Sequence, residues 1–295
     1  NVYSSWDSQS SGLSKLLEGQ KRVAMQYSPM CAIPYVSMVD AGTLELVRGC
    51  GVDVVSSANL VQIFEARWTD AQFAMHVEAG KLVDEVRRNA FVQVAEAHRA
   101  GKRPTAYEIQ QWIMSMFFTN GLVTDHPPTV GVNENAANPH YCPEPAGSRE
   151  IAPGDVLLID LWAKLDKPDA VFYDITWCGY CAEAVPAAVE RVFDVVKGAR
   201  DAAVKRARDA KAHGELLQGY QVDDACRGHI VAAGFGEYFV HRTGHSIGTN
   251  VHGNGANMDN LETHDVRTVM DGTCFSVEPG IYLPDFGIRS EVNVF

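Results

Sequence analysis

Two stretches near the end of the chain each set a glutamate inside an otherwise apolar, β-prone run: Phe275-Ser276-Val277-Glu278-Pro279-Gly280-Ile281-Tyr282 and Gly287-Ile288-Arg289-Ser290-Glu291-Val292. An unpaired buried carboxylate is costly, so each of these glutamates demands a cation or several donors. Upstream, the apolar residues Val156-Leu157-Leu158-Ile159 close on Asp160, and Asp174 follows fourteen positions later in Phe172-Tyr173-Asp174-Ile175-Thr176. A hairpin of that length brings both aspartates to neighbouring strands on the same side. Strand-end aspartates more often cap turns, so the pair alone does not decide their role.

Between these segments lies His241-Arg242-Thr243-Gly244-His245-Ser246-Ile247-Gly248, with His252 beyond it. The His-x3-His spacing matches a zinc helix, but Arg242 stands where such a helix needs glutamate, and two glycines disfavour helix. Glycines on either side of His245 point instead to backbone approaching a neighbour or an ion closely, with imidazoles carried on a loop or strand. His213, His229 and His264 are read as bystanders. Arg289 is one candidate partner for the carboxylates. Four carboxylates and a histidine on one small sheet exceed what a single arginine neutralises, whereas two divalent ions suffice.

Composition is consistent with such a site and excludes other classes. A net charge of −12 argues against a phosphate-backbone partner, so no nucleic acid is expected. No apolar run reaches the roughly 18 to 20 residues of a membrane span, and the first twelve residues lack a secretory signal. Seven scattered cysteines form no complete disulfide framework; they read as mostly buried thiols in a reducing compartment, and the expected location is the cytoplasm. A chain of 295 residues with 46% hydrophobic residues buries a large core without staples.

Residues 1–65 alternate short helices (12–18, 43–48) with short strands (22–27, 52–57), reading as the tail of a small α/β unit. Because it starts at Asn1 and offers two good strands, its earlier part is expected to be missing. From Thr69-Asp70 a long helix runs to about Ala100, and a second starts at the capping-box sequence Thr105-Ala106-Tyr107-Glu108 and runs to Asn120-Gly121. Strands follow. The order then repeats, with a long helix over 184–213, a shorter one over 222–233, Gly234 and more strands, as in two related halves around a shared site.

In order and spacing, Ile159-Asp160-Leu161, Asp174-Ile175-Thr176, Gly244-His245-Ser246-Ile247-Gly248 with Val251-His252, Val277-Glu278-Pro279-Gly280-Ile281-Tyr282 and Arg289-Ser290-Glu291 resemble the metallopeptidase family of methionine aminopeptidase, prolidase, Xaa-Pro aminopeptidase and creatinase. The resemblance implies an α+β pita-bread catalytic domain with pseudo-twofold halves over 66–295, preceded by the end of a creatinase-like N-terminal α/β domain over 1–65. It implies two divalent ions, manganese first and cobalt, zinc or iron as alternatives. Asp160 would chelate one, His245 and Glu278 the other, and Asp174 and Glu291 would bridge them. A bridging solvent would be the nucleophile, Glu278 its proton acceptor, and His252 and His140 would contact substrate and help move protons.

The resemblance further implies a homodimer and hydrolysis next to proline, as an Xaa-Pro dipeptidase or Xaa-Pro aminopeptidase. Arg267 is the one arginine between His252 and the Glu278 turn, where dipeptide-restricted members hold the substrate carboxylate. A hydrolase or lyase of a small non-peptide substrate and a non-catalytic peptide- or protein-binding module are the alternatives. Trp177, Cys178 and Gly253 depart from the usual family residues at their positions and bear on substrate preference. Cys178 and Cys181 read as core packing.

Overall fold

The computed structural model describes residues 2–295, which divide into two units, the first ending at Phe64 and the second spanning Glu65–Phe295. In the first, helix α1 (Trp6–Leu17), strand β1 (Arg22–Met25), helix α2 (Ala41–Gly49) and strand β2 (Asp53–Ser56) form a parallel strand pair with its crossover helix, followed by α3 (Ala58–Glu65). Val47, Val52 and Val54 are its buried centre, with Leu13, Leu17 and Leu44 packed around them. Helix α1 starts at Trp6, six residues earlier than its apolar pattern, because Ser5 and Ser8 close a capping box there.

The second unit begins with α4 (Asp70–Arg99) and α5 (Ala106–Thr119). Both open on capping boxes: Thr69 with Gln72, and Thr105 with Glu108. Strands β3 (Leu122–Val123), β4 (Thr129–Val132), β5 (Val156–Leu165) and β6 (Tyr173–Tyr180) form an antiparallel sheet in which β5 pairs with the other three. After α6 (Ala187–His213) and α7 (Gly219–Ala232) come β7 (Ser246–Ile247), β8 (Cys274–Val277), β9 (Gly280–Leu283), β10 (Phe286–Arg289) and β11 (Val292–Val294). The chain thus runs helix pair then strands twice. Strand β8 lies between β11 and β7, and β9 and β10 form a hairpin.

The two-residue period of β5 positions the site. Leu157, Ile159, Leu161, Ala163 and Leu165 pack with α4 and α5 in one core, while Val156 on the opposite face joins a second core built on α6 and α7. Asp160 and Trp162 share that second face. Strand β5 does not end at Asp160 but continues five residues past it, because Leu161, Ala163 and Leu165 extend the same apolar stripe. The register sets Asp160 opposite Thr176 and Trp162 opposite Asp174, so the two aspartates stand diagonally on one face. Strand β11 meets β6 through Asn293, whose side chain accepts from the Asp174 amide and donates to the Asp174 carbonyl at 2.6 Å. The Glu291 amide donates to the Thr176 carbonyl, which joins strands of the two halves beside their carboxylates.

All seven cysteines are unpaired, but Cys226 and Cys274 alone are fully buried, and Cys31 and Cys142 are exposed. Cys178 packs toward one core and Cys181 toward the other, as expected for packing residues. No helix among the described residues is long and apolar enough to cross a membrane. The Thr105 box satisfies two helix-end donors, with the Glu108 carboxylate 2.7 Å from the Thr105 amide. Thr105→Ala is expected to cost about 1 kcal/mol of stability, read as a lower midpoint with unchanged slope in urea unfolding.

Candidate metal centre

Strand β8 and the segment 239–245 deliver His245 and Glu278. Asp223 on α7 is fully buried; it accepts from the Thr243 amide at 2.9 Å and from its hydroxyl at 2.6 Å. Arg227 binds both oxygens of Asp223 and the carbonyls of Phe239 and His241. Gly244 then passes so close to β8 that a Cβ there would sit 1.9 Å from the Ser276 carbonyl oxygen, which explains the glycine. Gly248 has no such constraint, its nearest neighbour being 3.8 Å from a built Cβ. The Ser276 hydroxyl accepts from the His245 amide and donates to Glu278 Oε1.

His245 is buried, and its Nδ1 lies 3.1 Å from the Ser246 carbonyl oxygen, so the proton belongs on Nδ1 and the Nε2 lone pair faces inward. Nε2 stands 3.5 Å from Asp174 Oδ2 and 3.4 Å from Glu278 Oε1. Those separations exceed an ordinary hydrogen bond, whereas two ligands about 2.1 Å from a shared tetrahedral ion lie roughly 3.4 Å apart. Ligand atoms of Asp174, His245 and Glu291 all fall within 4.8 Å of one another. Asp174 Oδ1 and Glu291 Oε1 are buried without a hydrogen-bond partner. Orphaned buried oxygens beside an inward imidazole lone pair are the donor set of a divalent cation.

Electrostatics agree. Burial, followed by repulsion from the other carboxylates, pushes Asp174 and Glu291 well above the usual carboxylate range. Asp160 is raised by burial, with Arg289 opposing. Glu278 is also pushed up by burial, but His245, His241, Arg289 and Arg242 outweigh this and hold it below its ordinary value. Burial pulls His245 down, which favours the neutral imidazole that a cation requires.

The five expected ligands are not equally gathered. Asp174, His245 and Glu291 cluster and Glu278 faces His245, while both Asp160 oxygens are engaged: Oδ2 with Arg289 at 2.5 Å and Oδ1 with the Thr176 hydroxyl at 2.8 Å. The same hydroxyl lies 2.9 Å from Glu291 Oε2 and accepts from Arg289 Nε. Arg289 also reaches the Tyr282 hydroxyl and the Pro139 carbonyl, and His241 Nε2 lies 2.6 Å from that hydroxyl. Sequence reading passed over Thr176, Tyr282 and His241 as functional groups. For Thr176 the signal was alternation, since it lies two residues from Asp174 on the same strand.

A cavity of about 830 Å³ opens over the cluster and is lined by His140 and His252 as well. The His252 ring meets His245 edge-on with centroids 4.3 Å apart, and burial, with His245 and Arg242 nearby, pushes its pKa down to about 4. His140 is exposed on the wall, its amide held by Asn138. Of the bystanders, His213 binds its own helix and His264 binds Asn260 on the surface. Trp177 points off the opposite face, stacked under Arg87, and does not touch the site. Gly253 donates to the Ser246 carbonyl, and a Cβ there would lie 3.0 Å from the Ser246 hydroxyl, which explains the missing acidic residue.

Comparison with known proteins places the chain in a family. An Xaa-Pro dipeptidase of Lactobacillus helveticus is 32% identical over 200 residues, 67% of this chain and 47% of that protein. A putative Xaa-Pro aminopeptidase of Mycoplasma pneumoniae is 29% identical over 71% of this chain and 55% of its own. The chain spans about half the length of these curated relatives. A prolidase structure from Thermococcus sibiricus superposes with a TM-score of 0.65 at 24% identity, covering 97% of this chain and 71% of that one, and establishes the α+β pita-bread fold. The model of metallopeptidase family M24, a family that implies divalent metals, matches residues 74–295, and the chain belongs to that family.

Proposed function

We propose that the chain hydrolyses peptide bonds adjacent to proline with two divalent cations held by Asp160, Asp174, His245, Glu278 and Glu291. The observation that carries the reading is that Asp174 and Glu291, each with one orphaned buried oxygen, gather their ligand atoms around the inward Nε2 of His245. The cavity's charge supports two ions. Six carboxylates and two arginines line it, and the four negative charges left over equal two divalent cations. Such a pair supplies Lewis-acid polarisation and a readily deprotonated water.

The chain's own groups do the rest. Glu278 is held ionised by its cationic and imidazole neighbours, so it starts as a base, takes the proton of the attacking water and returns it to the leaving nitrogen. Ser276 donates to Glu278 Oε1 and fixes which oxygen stays occupied. His252 is neutral across the physiological range and offers an N–H to the oxyanion that develops on the carbonyl. His140, on the same wall, orients the substrate. Arg289 holds Asp160, Thr176 and the Pro139 carbonyl in one arrangement, fixing the loop that carries His140 relative to the carboxylates. The proline preference is supported by the Xaa-Pro names of the relatives. A prolyl nitrogen has no N–H, so its binding leaves no donor to satisfy.

Metal binding and turnover are separable tests. Mn²⁺ at about 100-fold its dissociation constant is expected to stabilise the protein by about 2.7 kcal/mol. In Asp174→Asn and Glu291→Gln this gain disappears, while the metal-free variants melt no lower than the parent, because each loses a buried charge with one oxygen that lacked a partner. Differential scanning fluorimetry with and without chelator reads both effects. Turnover of Ala-Pro and Ala-Pro-Ala is expected from Mn²⁺-loaded protein, and Glu278→Gln is expected to lower kcat by roughly 10²- to 10⁴-fold. Metal uptake without hydrolysis of either peptide, by amine-release assay, overturns the peptidase reading.

A further inference from the structure

The segment 253–273 sends one side chain, Glu262, to the cavity wall, yet it buries an ion pair in full. Asp265 is wholly enclosed and Arg267 is 3% exposed; Arg267 Nη2 lies 2.5 Å from Asp265 Oδ2 and its Nε 3.0 Å from Oδ1. Arg267, the arginine that position alone singled out, therefore turns its fork into the fold and does not line the cavity. Taking two charges out of water is expensive, and apolar residues of similar volume often serve stability as well. The reason for the pair lies in what it holds.

Its bonds lead to His245. Arg267 Nη1 donates to the Asn254 carbonyl at 3.1 Å, and Asp265 Oδ2 accepts from the Asn257 amide at 2.8 Å. Asn257 Oδ1 in turn accepts from the Ser246 amide at 3.0 Å, and the Ser246 hydroxyl accepts from the Gly255 amide at 2.9 Å. The Ser246 carbonyl takes the Gly253 amide at 2.6 Å, and His245 Nδ1 lies 3.1 Å from the same oxygen. Gly244 and Met258 exchange both backbone bonds. His245 thus runs between β8 on one side and residues 253–258 on the other, and the ion pair fixes the outer neighbour. The pair is itself anchored, because the Asp265 and Arg267 carbonyls accept from the Tyr220 and Gly219 amides, two of the free donors that open α7. The same helix carries Asp223, which pins Thr243. One helix therefore grips the chain both before and after His245.

We propose that Asp265 and Arg267 are positioning residues for His245, holding the Ser246 peptide so that its carbonyl keeps the imidazole proton on Nδ1 and leaves Nε2 aimed at the cation. This rests on the two-cation reading above. A hydrogen bond to the far nitrogen of a metal-ligating histidine fixes both tautomer and ring orientation. The cation held by His245 and Glu278 feels its loss. The one held by Asp160 does not, since Thr176 and Arg289 fix that carboxylate from elsewhere.

The test titrates metal-stripped protein with Mn²⁺ by calorimetry and reads the His245 tautomer from imidazole ¹⁵N shifts in the metal-free state. The parent is expected to bind two cations and to show His245 as a single Nδ1–H tautomer. Asn257→Ala leaves the ion pair in place and removes the acceptor of the Ser246 amide; it is expected to weaken one of the two binding steps roughly 10- to 100-fold, to leave the other unchanged, and to give a mixture of tautomers. Arg267→Lys keeps the charge but cannot serve Asp265 and Asn254 together, and is expected to weaken the same step by less. Two steps weakened alike, or a lower melting temperature with both affinities and the tautomer unchanged, mark the pair as structural and overturn the proposal. Where one variant fails to fold the other decides, and loss of fold in both overturns the proposal too. Two tightly held cations without hydrolysis of Ala-Pro sink the peptidase reading and leave this one standing; no cation uptake by the parent brings down both.

Discussion

Asp174 and Glu291 each bury a carboxylate oxygen that no group among the described residues satisfies, and the catalytic unit is arranged around that deficit. Burial of this kind is tolerable when a cation offsets it and expensive otherwise. The two aspartates come from a sheet whose other face is cemented to α4 and α5, and Glu291 comes from the strand that Asn293 stitches onto that sheet. His245 and Glu278 come from the half built on α6 and α7. Neither half holds a complete donor set. The site therefore forms only when both cores are formed, which couples metal affinity to the folding of the whole unit.

Arg289 explains how so many carboxylates share one space before any cation arrives. One of its nitrogens neutralises Asp160, and the other two reach Thr176, Tyr282 and a backbone carbonyl, so the charge is buried with four of its N–H donors engaged. A lysine would supply the charge but not the geometry, since one ammonium has neither the reach nor the planar fork. Asp160 is consequently the carboxylate with the least deficit, and Asp174 and Glu291, which lack such a partner, carry the most. That asymmetry accounts for the compact grouping of Asp174, His245 and Glu291, with Asp160 drawn toward the arginine.

Much of this was legible in the sequence, for physical reasons. Carboxylates in apolar strands announce a buried charge, and the Gly244-His245 step announced a close backbone approach that a Cβ would turn into a 1.9 Å clash. The capping boxes at Thr69 and Thr105 located two helices to the residue, because capping is local chemistry. What escaped notice was tertiary. The extension of β5 past Asp160 depends on a core stripe supplied by α4 and α5. The burial of Arg267 depends on Asp265, and the use of Asn293 as a sheet connector depends on which strand lies beside it. The hydroxyls of Thr176 and Tyr282 read as ordinary β-strand residues until the register placed them against Asp160 and Arg289.

The charge of the cavity links metal loading to substrate choice. With all six carboxylates ionised and no cation, the wall carries four net negative charges, a field that repels any anionic ligand and is strengthened by the low dielectric of an enclosed site. One divalent ion leaves two of those charges; a second brings the wall to neutrality. A neutral wall accepts a carboxylate that a half-loaded wall would repel, while an amide-capped peptide is nearly indifferent to the difference. On the proposed two-cation reading, occupancy of the second ion position would govern who enters as well as how fast the bond is cleaved, and a free-acid substrate would sense the loading of the centre more steeply than its amide.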